Sequence, residues 1–148
     1  MALHNVSTAC LLTYRGKLLL IKENQSGEVN WDIPAGGLEQ GETLMEGVRR
    51  EIQEETGIIT TLPRFRKVFQ FVQGKTTSFN YLFHEEITTA QLHSLETTEV
   101  NILEAKLFSS VEIQELIDKK HVEHNLAQAR LQEFIQASEG SYRLVYQQ

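Results

Sequence analysis

Apolar residues along this chain recur first at the alternating spacing of strands and later at the spacing of one helix face. Residues 6–14 and 17–22 form two β-rich runs separated by Arg15-Gly16, which predicts a hairpin. The polar stretch "ENQSGEVN" then reads as a loop, "WDIP" as a short strand closed by Pro34, and "AGGLEQGE" as a glycine-rich passage. Leu44, Val48 and Ile52 repeat at helical spacing and Gly57 supplies a stop, so a helix is predicted over 43–56. Alternation returns over 59–72 and 76–87, with Phe69 and Phe71 sharing one face, Phe79, Tyr81 and Phe83 sharing another, and "QGK" at the tip of a second hairpin. Residues 88–101 read as a loop, 102–108 as a strand, 110–119 and 125–137 as helices, and "YRLVY" as a last strand. Strands followed by interleaved helices predict a mixed α/β domain.

With 148 residues the chain has the length of one domain, expected to span 1–148. A hydrophobic fraction of 41% against 23% charged is that of a folded soluble protein, and no apolar run is long enough to span a bilayer. The opening "MALHNVSTAC" has no basic segment followed by an apolar run, so a cytoplasmic location is expected. The single cysteine, Cys10, lies in the β-prone run "VSTACLLTY" and reads as a buried, inert thiol. A net charge of −6 argues against a nucleic-acid polymer as partner. An acidic protein can still bind a phosphorylated small molecule through a cation.

Where such a cation would sit is suggested by "REIQEETG". On the predicted helix Glu51, Glu54 and Glu55 fall within an arc of roughly 100° beside the apolar stripe. Glu51 and Glu55 repel at i, i+4, and the helix C-terminus disfavours all three. Arg50 can pair with Glu46 or Glu54, yet one guanidinium does not neutralise three carboxylates. Hard oxygen ligands in this number suit Mg²⁺ or Mn²⁺ completed by substrate phosphates. Gly47 lies on the same arc, where it would allow metal or phosphate close to the backbone.

Gly36, Glu42 and the run Arg50-Glu51-Ile52-Gln53-Glu54-Glu55-Thr56-Gly57-Ile58 together resemble the signature of the Nudix hydrolase family, GX5EX7REUXEEXGU with U a bulky aliphatic, and every specified position is filled. The resemblance implies an α/β/α sandwich around a mixed β-sheet, with the box forming a loop, helix and loop that hold metal. It implies Glu51, Glu54 and Glu55 as metal ligands, with the carbonyl of Ala35 or Gly36 as a further one. Arg50 would orient the helix carboxylates, and Glu42 would hold the loop or a water on the metal. The general base would be Glu54, Glu55, or a loop glutamate, Glu96 or Glu99. The implied reaction is Mg²⁺-dependent hydrolysis of a small organic di- or triphosphate, a nucleotide foremost, by a monomer or homodimer.

Among the family's subgroups "STACLL", "GKLLLIKE" and "REIQEETGI" resemble NudJ-type phosphatases, which implies orthophosphate release from nucleoside tri- and diphosphates or hydroxymethylpyrimidine diphosphate. Gly37 and Leu107 depart from that subgroup, which carries histidine and tryptophan there. The alternatives are a pyrophosphohydrolase of another nucleoside diphosphate derivative, such as ADP-ribose, and a non-catalytic nucleotide sensor. Candidate substrate contacts are Trp31, Phe79 and Tyr81 for stacking and Arg64, Arg66 and Lys75 for phosphate. His121 and His124 lack an evident third ligand and read as surface histidines.

Overall fold

Strands β1 (Leu3–Tyr14) and β2 (Lys17–Gln25) are joined by Arg15 and Gly16, both at positive φ (46° and 77°), the backbone of a two-residue turn whose twist suits a hairpin. The same device follows at once: Ser26 and Gly27 (φ 52° and 90°) turn β2 into β3 (Glu28–Asp32). The expected loop over 23–30 is therefore strand, turn and strand. Its side chains are mostly exposed, so no apolar alternation marks it, and the backbone ladder from Ile21–Asp32 to Gln25–Glu28 sets the strands. These elements belong to a computed structural model that describes residues 3–123 and 126–138.

A short strand β4 (Ala35–Gly37) leads to α1 (Leu44–Thr56), then to β5 (Arg64–Gln73), β6 (Thr76–Glu86), a short helix α2 (Thr89–His93), β7 (Ile102–Phe108), α3 (Ser110–Asp118) and α4 (Leu126–Ser138). The second hairpin starts later than the alternation suggested. Pro63 has no N–H for a ladder, and the N–H groups of Thr61 and Leu62 donate to the buried Glu85 carboxylate at 3.1 and 2.6 Å. Helix α2 lies within the expected loop 88–101; five residues are too few to show a period, though Thr88 and Gln91 form a capping box. The strand expected at "YRLVY" lies outside the described residues, as does His124.

The sheet runs β3-β2-β1-β6-β5, with β4 also on β1 and β7 also on β2. It is mixed because β1 and β6 pair in parallel from Leu3–Thr76 to Thr13–Glu86 while the other pairs are antiparallel. The β1–β2 register joins Thr13 to Leu18 and Tyr14 to Lys17 and goes no further. Beyond that point the strands splay, β4 takes the freed edge of β1 at Ser7–Ala9, and β7 runs along β2.

Alternation places two cores on the two faces. Cys10, Leu12, Leu19 and Phe83 meet Val48 and Ile52 of α1, while Leu11, Leu18, Leu20 and Leu82 meet Ile113 of α3 and Leu131 and Phe134 of α4. This is the expected α/β/α sandwich. Cys10 is fully buried and its thiol is pushed well above the ordinary range by desolvation, as an inert core thiol should be. No helix among the described residues is long and apolar enough to cross a membrane.

Candidate active site

Helix α1 begins at a capping box, Thr43 accepting from Glu46 N–H and Glu46 from Thr43 N–H, and ends on Gly57 in the left-handed region (φ 72°). The cap removes Glu46 from Arg50, so the Arg50–Glu46 pair expected from sequence does not form. Arg50 instead reaches across to the loop. Its Nε and Nη2 donate to Glu42 at 2.6 and 2.9 Å, Nη2 also donates to the Gly37 carbonyl at 3.0 Å, and Nη1 donates to Glu51 at 2.8 Å and Glu54 at 3.2 Å. Glu42 also accepts the Glu39 N–H at 2.9 Å. The Arg50 hydrogen bonds, with that N–H, hold the Glu42 carboxyl well below the usual carboxylate range. Glu42 thus fastens the loop to the helix through Arg50.

Gly47 has a different use from the one its arc suggested. A Cβ there would lie 2.3 Å from Leu38 Cδ2 and 3.2 Å from Glu42 Oε1, so the missing side chain makes room for the folded-back loop rather than for metal or phosphate. Gly36 is the glycine at the carboxylates. A Cβ on it would stand 2.2 Å from the Glu51 carboxyl carbon.

The three helix glutamates are not equivalent. Glu55 is 4% exposed and accepts the Ala35 N–H at 2.9 Å. Burial, then the charge of Glu23, raises its carboxyl to about 9, and burial also raises the carboxyl of Glu51. Glu54 has a half-exposed side chain turned to Arg50. Among the described residues no three His, Cys, Asp or Glu side chains stand as a ready-made metal cage, because Glu54 faces the guanidinium. The donor chemistry nonetheless suits a hard divalent cation, and the cradle left open by Gly36 borders it. Pairing alternates along β4: Leu38 N–H bonds Val6, Cys10 N–H bonds Pro34, and Gly36 faces Thr8 between them. The Ala35 carbonyl, on the side of its N–H, therefore faces α1.

Alanine at Gly36 is expected to displace Glu51 and weaken divalent-cation binding at least about tenfold, roughly the effect of disturbing one oriented ligand. Calorimetric titration of Mg²⁺ checks this; an unchanged affinity would place the metal elsewhere.

Glu23, at the far end of β2, is the residue that sequence reasoning missed. Its charge acts on Glu55, and Asp32, Glu99 and Arg130 act on it in turn. Its signal was hidden in a stretch read as loop. Of the two loop candidates, Glu99 is half-buried beside Glu23, whereas Glu96 is exposed past the end of α1, with its N–H on the Thr56 carbonyl.

The candidate substrate contacts do not converge. Trp31 is 9% exposed and packs edge-on against Phe108 at 4.8 Å, a core role, although it also borders a cavity of about 230 Å³ with Glu23 and Asp32. Tyr81 lies in a row Tyr81–Thr8–Gly36 across three strands, and Phe79 is half-buried opposite Val6. Arg64 and Lys75 bracket the ten-residue β5, so roughly 30 Å of strand separates them. Arg66 lies by Leu11 and Phe134 on the face opposite α1.

A family model of the NUDIX domain matches residues 3–131. The chain belongs to that family. It is 38% identical over 93 residues to phosphatase NudJ of Escherichia coli, an alignment covering 60% of this chain and 61% of the relative, and equally to NudJ of Shigella flexneri. The match thus spans about three-fifths of those relatives' length. In fold the chain is similar to a NUDIX hydrolase from Nitrosomonas europaea (TM-score 0.68, 23% identity, 90% of this chain and 88% of that one). A MutT NUDIX hydrolase from Burkholderia pseudomallei is similar too (TM-score 0.71, 18% identity, 87% and 96%). The signature residues Gly36, Glu42, Arg50, Glu51, Glu54 and Glu55 all lie within the matched span.

Proposed function

We propose that this NUDIX domain hydrolyses phosphoanhydride bonds of nucleoside di- and triphosphates or related organic diphosphates, with Mg²⁺ as the cofactor and Mn²⁺ able to replace it. The observation that carries this is the pair Glu51 and Glu55, pressed together beside the Ala35–Gly36 backbone at a helix end where they are unfavourable without a cation. The similarity to phosphatase NudJ supports orthophosphate as the product released.

Glu51, Glu55 and the Ala35 carbonyl would hold the divalent cation. Glu54, paired with Arg50 in this structure, would be the third carboxylate ligand. Bound there, the cation supplies Lewis-acid polarisation of the phosphoryl oxygens. The chain does the rest. Arg50 keeps Glu51 from rotating away, and Glu42 holds residues 37–42 against the helix. Water attacks phosphorus, the bridging P–O bond breaks with its electron pair staying on the departing phosphate oxygen, and the water proton passes to a glutamate carboxylate. Glu54, with its half-exposed side chain, and Glu99, whose charge acts on Glu23, are the candidates to take it.

Phosphorus NMR of a panel of nucleoside di- and triphosphates, hydroxymethylpyrimidine diphosphate and ADP-ribose, incubated with Mg²⁺, tests the reading. Orthophosphate released by the wild type and not by Glu54→Gln is the expected result. Product formation that persists in EDTA would sink the metal-dependent mechanism.

A further inference from the structure

Thr8 of β1, in the middle of the row Tyr81–Thr8–Gly36, is fully buried, yet its hydroxyl Oγ1 has no hydrogen-bond partner. A buried hydroxyl without a partner destabilises the fold, and in native proteins such groups are satisfied by a water or a ligand. Packing does not call for threonine there. Val6 and Cys10, its neighbours on the same face of β1, are apolar, and valine would fill the same volume in a strand equally well. The other buried hydroxyl without a partner among the described residues, that of Thr60, lies past the end of α1, where the Thr60 carbonyl takes Arg49.

The direction of the Thr8 side chain follows from two independent neighbours. Cys10 and Leu12 of the same strand pack with Val48 and Ile52 of α1, so alternation turns Thr8 to that face. Gly36, directly opposite Thr8, points the same way, since a Cβ on it would stand 2.2 Å from the Glu51 carboxyl carbon. Side chains directly opposite one another on antiparallel strands have Cβ atoms about 5 Å apart. The hydroxyl is therefore aimed beneath the Glu51 carboxylate, one cross-strand spacing away, and Glu55 is fastened to Ala35 at the next residue. That spacing is too long for a direct hydrogen bond and suits one bridging water. Mg²⁺ held by a few carboxylates keeps several of its own waters.

We propose that Thr8 is a positioning residue of the cation site, its hydroxyl oxygen accepting a hydrogen bond from a water on the divalent cation that Glu51 and Glu55 hold. The inference rests on the metal-dependent reading and adds to it a residue outside the signature. Thr8 touches no reacting atom.

Calorimetric titration of Mg²⁺ into the full chain, beside thermal melts in EDTA, tests it on Thr8→Val and Thr8→Ser. Thr8→Val removes an unsatisfied hydroxyl and should melt in EDTA at or above the wild-type temperature. Its Mg²⁺ affinity should nevertheless fall about tenfold, the factor for losing one group that orients a metal ligand. Thr8→Ser keeps the hydroxyl and should restore the affinity, even where the missing methyl lowers its Tm. A Thr8→Val protein that binds Mg²⁺ as the wild type does would overturn the proposal and leave the cation site standing. Affinity lost in both variants together with a lowered Tm in EDTA would also overturn it, since Thr8 would then act through the fold. A wild type that takes up no Mg²⁺ would overturn the proposal and the metal-dependent reading together.

Discussion

Glu55→Gln is expected to lower kcat by about a thousandfold, roughly 4 kcal/mol of transition-state stabilisation, because on the proposed mechanism it removes the buried ligand of the cation. The same change should leave the metal-free protein at least as stable as wild type. Glu55 is 4% exposed, and its carboxyl is raised to about 9 by burial and by Glu23. Raised in the folded state, it contributes stability that is fully present below its unfolded value near 4.5 and is lost as pH climbs through about 9. In EDTA the wild type should therefore lose stability progressively over that window, and Glu55→Gln should flatten the profile. Mg²⁺ affinity should rise with pH in the same window, since the cation displaces the proton. Chemical denaturation at several pH values with and without Mg²⁺ checks all three. A wild-type profile that stays flat in EDTA, or a large loss of stability in the variant, would make Glu55 a structural residue.

Arg50→Met should have the second largest effect, on stability and on turnover together. It deletes the one group that holds Glu42, Glu51, Glu54 and the Gly37 carbonyl at once. The carboxylates are then left facing one another beside the helix C-terminus. A fall in Tm of about 5 °C or more in EDTA is expected for a domain of this size, with partial recovery in Mg²⁺. Arg50→Lys should recover little of it, since an ammonium does not make the forked contact with Glu42 and reach Glu51 together. Thermal melts of both variants, run beside their Mg²⁺-dependent turnover, decide the matter. A lysine variant equal to wild type would mean that Arg50 contributes charge alone.

Much of the fold was legible because its signals are local. The stripe Leu44, Val48 and Ile52 and the Gly57 stop belong to one helix, predicted over 43–56, and the described helix runs from Leu44 to Thr56. The hairpin at Arg15-Gly16 was legible for the same reason. Strand residues in 23–30 were not, because exposed polar side chains carry no alternation and their register comes from the ladder to a neighbour.

The sequence by itself determined the family, through the spacing of Gly36, Glu42, Arg50, Glu51, Glu54 and Glu55, and it determined that three carboxylates crowd one helix end. Only the tertiary structure decided what each one does. Glu55 is buried because Ala35, 20 residues earlier, comes back as β4 beside the helix, and Glu54 is exposed because nothing does. The charge of Glu23 acts on Glu55 from β2, and Arg130 reaches Asp32 across 98 residues of chain. Helix spacing is a property of neighbours in sequence, whereas burial and partner choice belong to segments that meet only when the sheet has closed.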